Sequence, residues 1–341
     1  MSKKIITLLL LALGVTAQSF ANTSDLPGYT SKTNIDYVGD NHIGHKFDIY
    51  YPNDNKPTHP VIIHIYGSGW AANNQKGDAD LNTIGVAALE AGYIFVAPNH
   101  RASTDALFPA QINDIKALVR YLRGNAQSLG IDDSFIAVSG FSSGGHLAAL
   151  MGVTKGVSNY TVGSVTMNIE GDLGSFTNQS SSVDAVCSWS GLTEIISQSG
   201  CDIPSILTSY IENLMGGSYE SNPDKWAMAC ASTYVGAKDA PAILFHGSAD
   251  SFHPQCVSEN LYNTLQAAHV DCEYYAHNGA HEIPTDYIDE MITFFNRIKV
   301  STSLDQISSK RSTLNAKRIA NGQLFIQRGD ELFTAQGTRV K

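Results

Sequence analysis

The sequence predicts an α/β protein: a mostly parallel sheet with helices on both faces. Three observations carry that expectation. Short, continuous apolar runs alternate with longer stretches whose apolar residues recur at helical spacing, which is the pattern of buried strands joined by crossover helices. The runs are bounded by Gly, Pro, Asn and Asp. The chain also has 341 residues, of which 43% are hydrophobic and 16% charged, enough to bury a large core.

Along the chain, "PVIIHIYGSG" and "YIFVAPN" read as buried strands and "DIKALVRYLRGNAQSLG" as an amphipathic helix. "SFIAVSG" is a strand and "GGHLAALMG" the helix after it; "AVCSWSG", "AILFHG" and "CEYYAHNG" complete the strands. Residues 155–182 and 191–240 are rich in Gly, Ser, Asn and Thr and read as insertions between strands, the second as a lid over the ligand crevice. From about Ser301, "STSLDQISSKRSTLNAKR" reads as a polar linker, and the last stretch reads as two or three short β-strands around "NG", "GD" and "QG" turns. The expected organisation is a leader over 1–21, a catalytic domain over 22–299, a linker over 300–316 and a β-rich tail over 317–341.

The leader reading rests on Lys3 and Lys4, an apolar run from Ile5 to Val15 and small residues ending at Ala21, the layout of a secretory signal peptide. It implies an exported protein, periplasmic or extracellular. A net charge of −10 without a long basic run argues against a nucleic-acid surface. Export makes Cys187, Cys201, Cys230, Cys256 and Cys272 candidates for one or two disulfides; their spacing contains no C-x-x-C pair, and the pairing stays open.

Gly140-Phe141-Ser142-Ser143-Gly144 lies between a strand and a helix, the context of a G-x-S-x-G nucleophile elbow. A serine hydroxyl needs a base to take its proton and an acid to hold that base in the right tautomer. In this architecture the acid and base follow the serine in chain order, each at the carboxyl end of a strand. Asp250 ends "PAILFHGSAD" and His281 follows "CEYYAHNGA", so Ser142, Asp250 and His281 form the expected triad, with Asp239 and Glu282 as spare acids. His146, His246, His253 and His277 read as structural or as supports behind the triad. Backbone N–H donors for an oxyanion are expected from Ser143 and from the loop Gly67-Ser68-Gly69-Trp70 after an early strand. This chemistry calls for no metal and no organic cofactor.

These motifs carry a resemblance. Tyr66-Gly67-Ser68-Gly69-Trp70 resembles the HGGGW loop of α/β-hydrolase esterases, and residues 99–150 resemble their Y-R-L-A-P, F-P-A-Q and G-x-S-x-G-G-H-L-A series. "IEGDLGSFTNQSSSVDAVCSWSG" and "HGSADSFHP" are similar to the bacterial carbohydrate-esterase-like branch that includes feruloyl and acetyl xylan esterases. Three positions depart from the pattern. Tyr66 replaces the loop histidine, Phe141 stands where these enzymes often carry Glu, and Ser251-Phe252-His253-Pro254 replaces a more apolar segment.

The resemblance implies an α/β-hydrolase fold and a serine ester hydrolase acting through an acyl-enzyme on acetyl or hydroxycinnamoyl esters of plant polysaccharides. The alternatives are a prolyl-oligopeptidase-type or arylformamidase-like amide hydrolase, or an inert surface-binding homologue. The tail "KRIANGQLFIQRGDELFTAQGTRVK" resembles the C-terminal sorting segments of type IX secretion substrates, which implies secretion machinery as a partner.

Overall fold

The computed structural model describes residues 26, 28–76, 80–314, 316–320, 323–328, 331–334 and 339–340, with side chains followed continuously from 80 to 304. The signal-like segment 1–21 lies outside the described residues. Eight strands form one sheet: β1 (Thr30–Asp36), β2 (Lys46–Tyr51), β3 (His59–Ile65), β4 (Ile94–Pro98), β5 (Ile131–Phe141), β6 (Ala185–Trp189), β7 (Ala242–Gly247) and β8 (Cys272–His277). Their spatial order is β1-β2-β4-β3-β5-β6-β7-β8, and all pairs from β4 to β8 are parallel. Six of these strands are the apolar runs read from the sequence. The other two, β1 and β2, pair antiparallel at one edge and escaped that reading. β1, "TSKTNID", alternates exposed and half-buried residues and has no apolar face to announce it.

Because successive side chains of a strand face opposite ways, β3 feeds two cores. Val61, Ile63 and Ile65 pack with α2 (Ala110–Gly124), α3 (Ser143–Val153) and α5 (Cys256–Ala267) on one face. Ile62 packs on the other with α1 (Val86–Glu90) and with Ile288, Met291, Phe294, Phe295 and Ile298 of α6 (Ile288–Leu314). The fold is therefore α/β, with helices covering both faces of a mostly parallel sheet.

The two insertions are bound to this core by different forces. Residues 155–182 carry a hairpin, Asn159–Val162 with Val165–Asn168, and are pinned by Glu170. Its carboxylate accepts from the buried Arg120 (2.6 Å) and Lys116 (3.1 Å) of α2. Residues 191–240 are packed rather than draped: Leu192, Ile195, Leu207, Ile211, Leu214, Trp226 and Met228 are continuous with the core on the α3 side. α4 (Thr208–Met215) lies within this stretch.

The segment read as a linker differs from expectation, since α6 runs through it as far as Leu314. No Gly or Pro interrupts residues 288–314, so nothing in the backbone chemistry ends the helix at Ser301. Beyond it, Ala316–Ala320, Gln323–Arg328, Glu331–Thr334 and Arg339–Val340 form a four-stranded antiparallel sheet in chain order, one strand more than the tail was read to hold.

Asp239 illustrates how position along a parallel strand decides a carboxyl's role. It precedes β7 at the end opposite Asp250, where Ala240 N–H bonds Gly152 O at the far end of α3. Burial raises its pKa to about 6 against the opposing pull of the Gly236 N–H. A raised acid pKa means the folded state favours the proton, so stability is lost as pH rises from the unfolded value through about 6. Asp239→Asn keeps an acceptor for Gly236 without the charge. Thermal unfolding should show the variant more stable than the parent at about pH 7.5 and equal to it near pH 4.

Candidate active site

The serine turn is built by exclusion of side chains. Ser142 joins β5 to α3 with φ 56° and ψ −121°, a conformation costly for a residue with a Cβ. It is held there by its own N–H to Trp189 O (2.9 Å) and by His146 N–H to its carbonyl (3.0 Å). Gly140 and Gly144 lie so close that a Cβ on either would collide with backbone, on Gly144 and on Ile65 respectively. A Cβ on Gly67 would come within 2.7 Å of Ser142 Cβ. The turn can form only where three chain segments meet without side chains between them.

At the same sheet edge, the loops after β7 and β8 bring the acid and base over the elbow. Ser142 Oγ lies 3.0 Å from His281 Nε2, and His281 Nδ1 lies 2.7 Å from Asp250 Oδ2. Asp250 Oδ1 accepts from the N–H groups of Phe252 and His253 (2.9 Å each). Burial works to raise the Asp250 pKa, but the hydrogen bonds of His246, His281 and the His253 N–H outweigh it and hold the carboxyl far below the usual range. The acid is thus a fixed anion, and His281 is obliged to carry its proton on Nδ1 and offer Nε2 to the serine. Of the spare acids, Asp239 is at the other end of β7, and Glu282 binds back to the Ala280 N–H.

The loop after β3 lies across the elbow. Gly69 (φ 60°) and Trp70 (φ 57°) are both left-handed, and no hydrogen bond engages their N–H groups or that of Ser143 among the described residues. Ser68 differs: its N–H donates to Ser143 Oγ (2.9 Å), which ties the loop to the start of α3. Ser68 is thus an expected donor already engaged, whereas Gly69, Trp70 and Ser143 border the same cavity as Ser142. The strain at Trp70 is held by its buried indole, whose Nε1–H donates to His146 Nδ1 (3.2 Å), and by Ser103 N–H on its carbonyl (2.7 Å). His146 Nε2–H donates onward to Ala229 O (2.7 Å), and burial lowers its pKa to about 4, so it stays neutral with one donor and one acceptor. Tyr66 takes over the bracing expected of a loop histidine, donating to Ala72 O (3.0 Å) and stacking on His100 at 4.9 Å.

Together these elements enclose a cavity of about 270 Å³ bordered by Gly69, Trp70, Phe141, Ser142, His281 and residues of the second insertion, 191–240. Phe141 packs on the His281 ring at 4.8 Å, so the residue found in place of Glu shields the base from water. Leu207 and Tyr210 overhang the mouth from residues 191–240. The disulfide Cys201–Cys256 joins that stretch to the start of α5, directly behind the Asp250 loop. Cys187, Cys230 and Cys272 are free. Closing 55 residues of chain in this way contributes about 4 kcal/mol in the chain-entropy account. A second Ser–His–Asp chain, Ser139–His64–Asp80, lies inside the sheet; Ser139 is fully buried and accepts from Trp189, so it serves packing.

Sequence reasoning missed the roles of Leu207, Tyr210, Phe252 and His253 around the cavity, because nothing in their local spacing ties them to Ser142. His253, read as structural or as a support behind the triad, borders the cavity itself.

The sequence matches the BD-FAE family over residues 47–265. It is 25% identical over 260 residues to the esterase LipQ of Mycobacterium tuberculosis, covering 75% of this chain and 55% of that protein. It is 26% identical over 197 residues to the probable carboxylic ester hydrolase LipM of the same organism, covering 58% of this chain and 42% of that one. The chain thus spans about half the length of the curated relatives it matches. Among solved structures, a truncated carbohydrate esterase from gut microbiota superposes with a TM-score of 0.76 at 38% identity, covering 80% of this chain and 96% of that one. A bifunctional GH43-CE protein of Bacteroides eggerthii superposes with a TM-score of 0.75 at 39% identity, covering 79% of this chain and 38% of that one. With the elbow, the acid–base pair and the oxyanion loop on one sheet edge, and with the match extending over most of the sheet that carries them, the chain belongs to the BD-FAE family of α/β-hydrolases.

Proposed function

We propose that this chain is a serine carboxylic ester hydrolase acting on short-acyl or hydroxycinnamoyl esters of plant polysaccharides. The observation that carries the reading is the continuous relay Ser142–His281–Asp250, with contacts of 3.0 and 2.7 Å, on an elbow open to a cavity. Ser142 Oγ attacks the ester carbonyl as its proton passes to His281 Nε2. The Asp250 carboxylate stabilises the imidazolium so formed. Negative charge gathers on the carbonyl oxygen, and the N–H groups of Ser143, Gly69 and Trp70, which border the same cavity as Ser142, are the donors to stabilise it. His281 returns the proton to the leaving alcohol, and a water activated by the same imidazole releases the acid.

The substrate class is supported by the cavity's shape and lining. Its volume suits an acetyl or one aromatic acyl group rather than a long chain. Tyr210 and Phe252 remain 42% and 48% exposed at the mouth, flat faces on which a sugar or phenolic ring can stack. The likeness to a carbohydrate esterase from gut microbiota supports the same reading.

Replacement of Ser142 by Ala should lower kcat for p-nitrophenyl acetate by about 10⁴- to 10⁶-fold with thermal unfolding unchanged, and Asp250→Asn by about 10⁴-fold, since the wrong imidazole tautomer then faces the serine. Steady-state activity above a tenth of wild type in either variant excludes the assignment.

Across a panel of p-nitrophenyl esters, methyl ferulate and acetylated xylan, acetyl esters and the polysaccharide ester should be cleaved well and long-chain esters poorly. A preference for long-chain triglycerides contradicts the substrate class.

Export through a type IX-like route is part of the same proposal. It is supported by the signal-like start of the sequence and by tail strands that pair only with each other among the described residues. Deleting residues 317–341 should leave ester hydrolysis by the purified protein unchanged while halting its passage across the outer membrane of a native host. Loss of activity and stability in the purified deletion contradicts the sorting role.

A further inference from the structure

We propose that His253 is a specificity-determining residue whose Nε2 accepts a hydrogen bond from a hydroxyl adjacent to the ester oxygen of the leaving alcohol. The site then favours monoesters of vicinal diols, the arrangement of an acylated sugar ring. This inference rests on the ester-hydrolase reading above.

Four features fix the imidazole for that task. Its Nδ1–H donates to Ser190 O at 2.7 Å, which sets the tautomer and leaves Nε2 as a lone-pair acceptor. Nε2 has no protein partner among the described residues, and the ring borders the cavity. The backbone on either side is held: its N–H bonds Asp250 Oδ1 (2.9 Å), and its carbonyl accepts from His246 Nε2 (3.0 Å), whose Nδ1 lies 2.7 Å from Ser258 Oγ. Burial first, and then the neighbouring His281, lower the His253 pKa to about 3, so the acceptor persists at neutral pH.

Position identifies the group it meets. The His253 ring packs edge-on against His281 with centroids 4.5 Å apart. His281 delivers its proton to the leaving oxygen, whereas the oxyanion donors come from Ser143, Gly69 and Trp70. His253 therefore adjoins the alcohol half of the ester. A leaving alcohol with a neighbouring hydroxyl satisfies Nε2; one without it strips water from that nitrogen and returns nothing.

The test is steady-state kinetics with 2-hydroxyethyl acetate and 2-methoxyethyl acetate, each rate normalised to that ester's hydroxide-catalysed hydrolysis. The wild type should favour the hydroxyl ester in kcat/KM by roughly 3- to 10-fold, the worth of one neutral hydrogen bond. His253→Leu should bring the ratio to about 1, and His253→Gln, with an amide donor for Ser190 O and a carbonyl acceptor, should keep most of the preference. A ratio already near 1 in the wild type overturns the proposal, as does a His253→Leu variant that slows both esters alike with the ratio preserved. If neither ester nor p-nitrophenyl acetate is cleaved by the wild type, the hydrolase reading fails and the proposal with it.

Discussion

The structure depends on one backbone turn that three segments must approach without side chains. Ser142 is held at φ 56° because β5 enters α3 at an angle no relaxed residue adopts, and the surrounding packing supplies the compensation. Gly140 and Gly144 let the strand and helix close on each other, while Gly67 lets the loop after β3 reach Ser142. The same close approach that exposes the hydroxyl also brings the backbone donors of Gly69 and Trp70 to its side. A Cβ at any of the three glycines would collide with a neighbouring segment and push apart the chain segments that meet at Ser142.

The polar groups around this turn form chains whose ends are backbone carbonyls. Trp70 donates to His146, and His146 donates to Ala229, so the oxyanion loop, the elbow helix and residues 191–240 share one buried line of hydrogen bonds. A second line runs from Ser258 through His246 to the His253 carbonyl, and the His253 N–H returns to Asp250. The first line needs a neutral His146, whose Nδ1 accepts while its Nε2–H donates. The ionised group between them, Asp250, is a buried anion satisfied by His281 and two backbone N–H donors, which is the condition under which such burial is tolerated.

Residues 191–240 act less as a flap than as a wall. Their apolar side chains are continuous with the core, and Cys201–Cys256 fastens them to the helix behind the acid loop. Tyr210 packs so close to Gly69 that a Cβ there would fall 2.7 Å from its ring. The cavity of about 270 Å³ is thus bordered by a stretch that packs into the core and is fastened by a disulfide.

Much of this was legible in the chain. The inner parallel strands showed as continuous apolar runs because both of their faces are buried, while the parallel edge strand β8 is only half-buried; the order Ser142, Asp250, His281 could be read because each follows a strand-like run. The edge strand β1 was not legible, since a half-exposed polar strand has no periodic apolar signature. Nor was the helical course of residues 301–314, where a polar composition was compatible with helix and linker alike. By itself the sequence determined the six parallel strands of the sheet, the elbow and the order of the candidate triad Ser142, Asp250 and His281, because these depend on local spacing and strand ends. Tertiary structure alone decided that Cys201 pairs with Cys256, that Ser68 braces while Gly69 and Trp70 keep open donors, and that His253 adjoins His281. Each of these is a contact between segments whose separation along the chain carries no periodic trace.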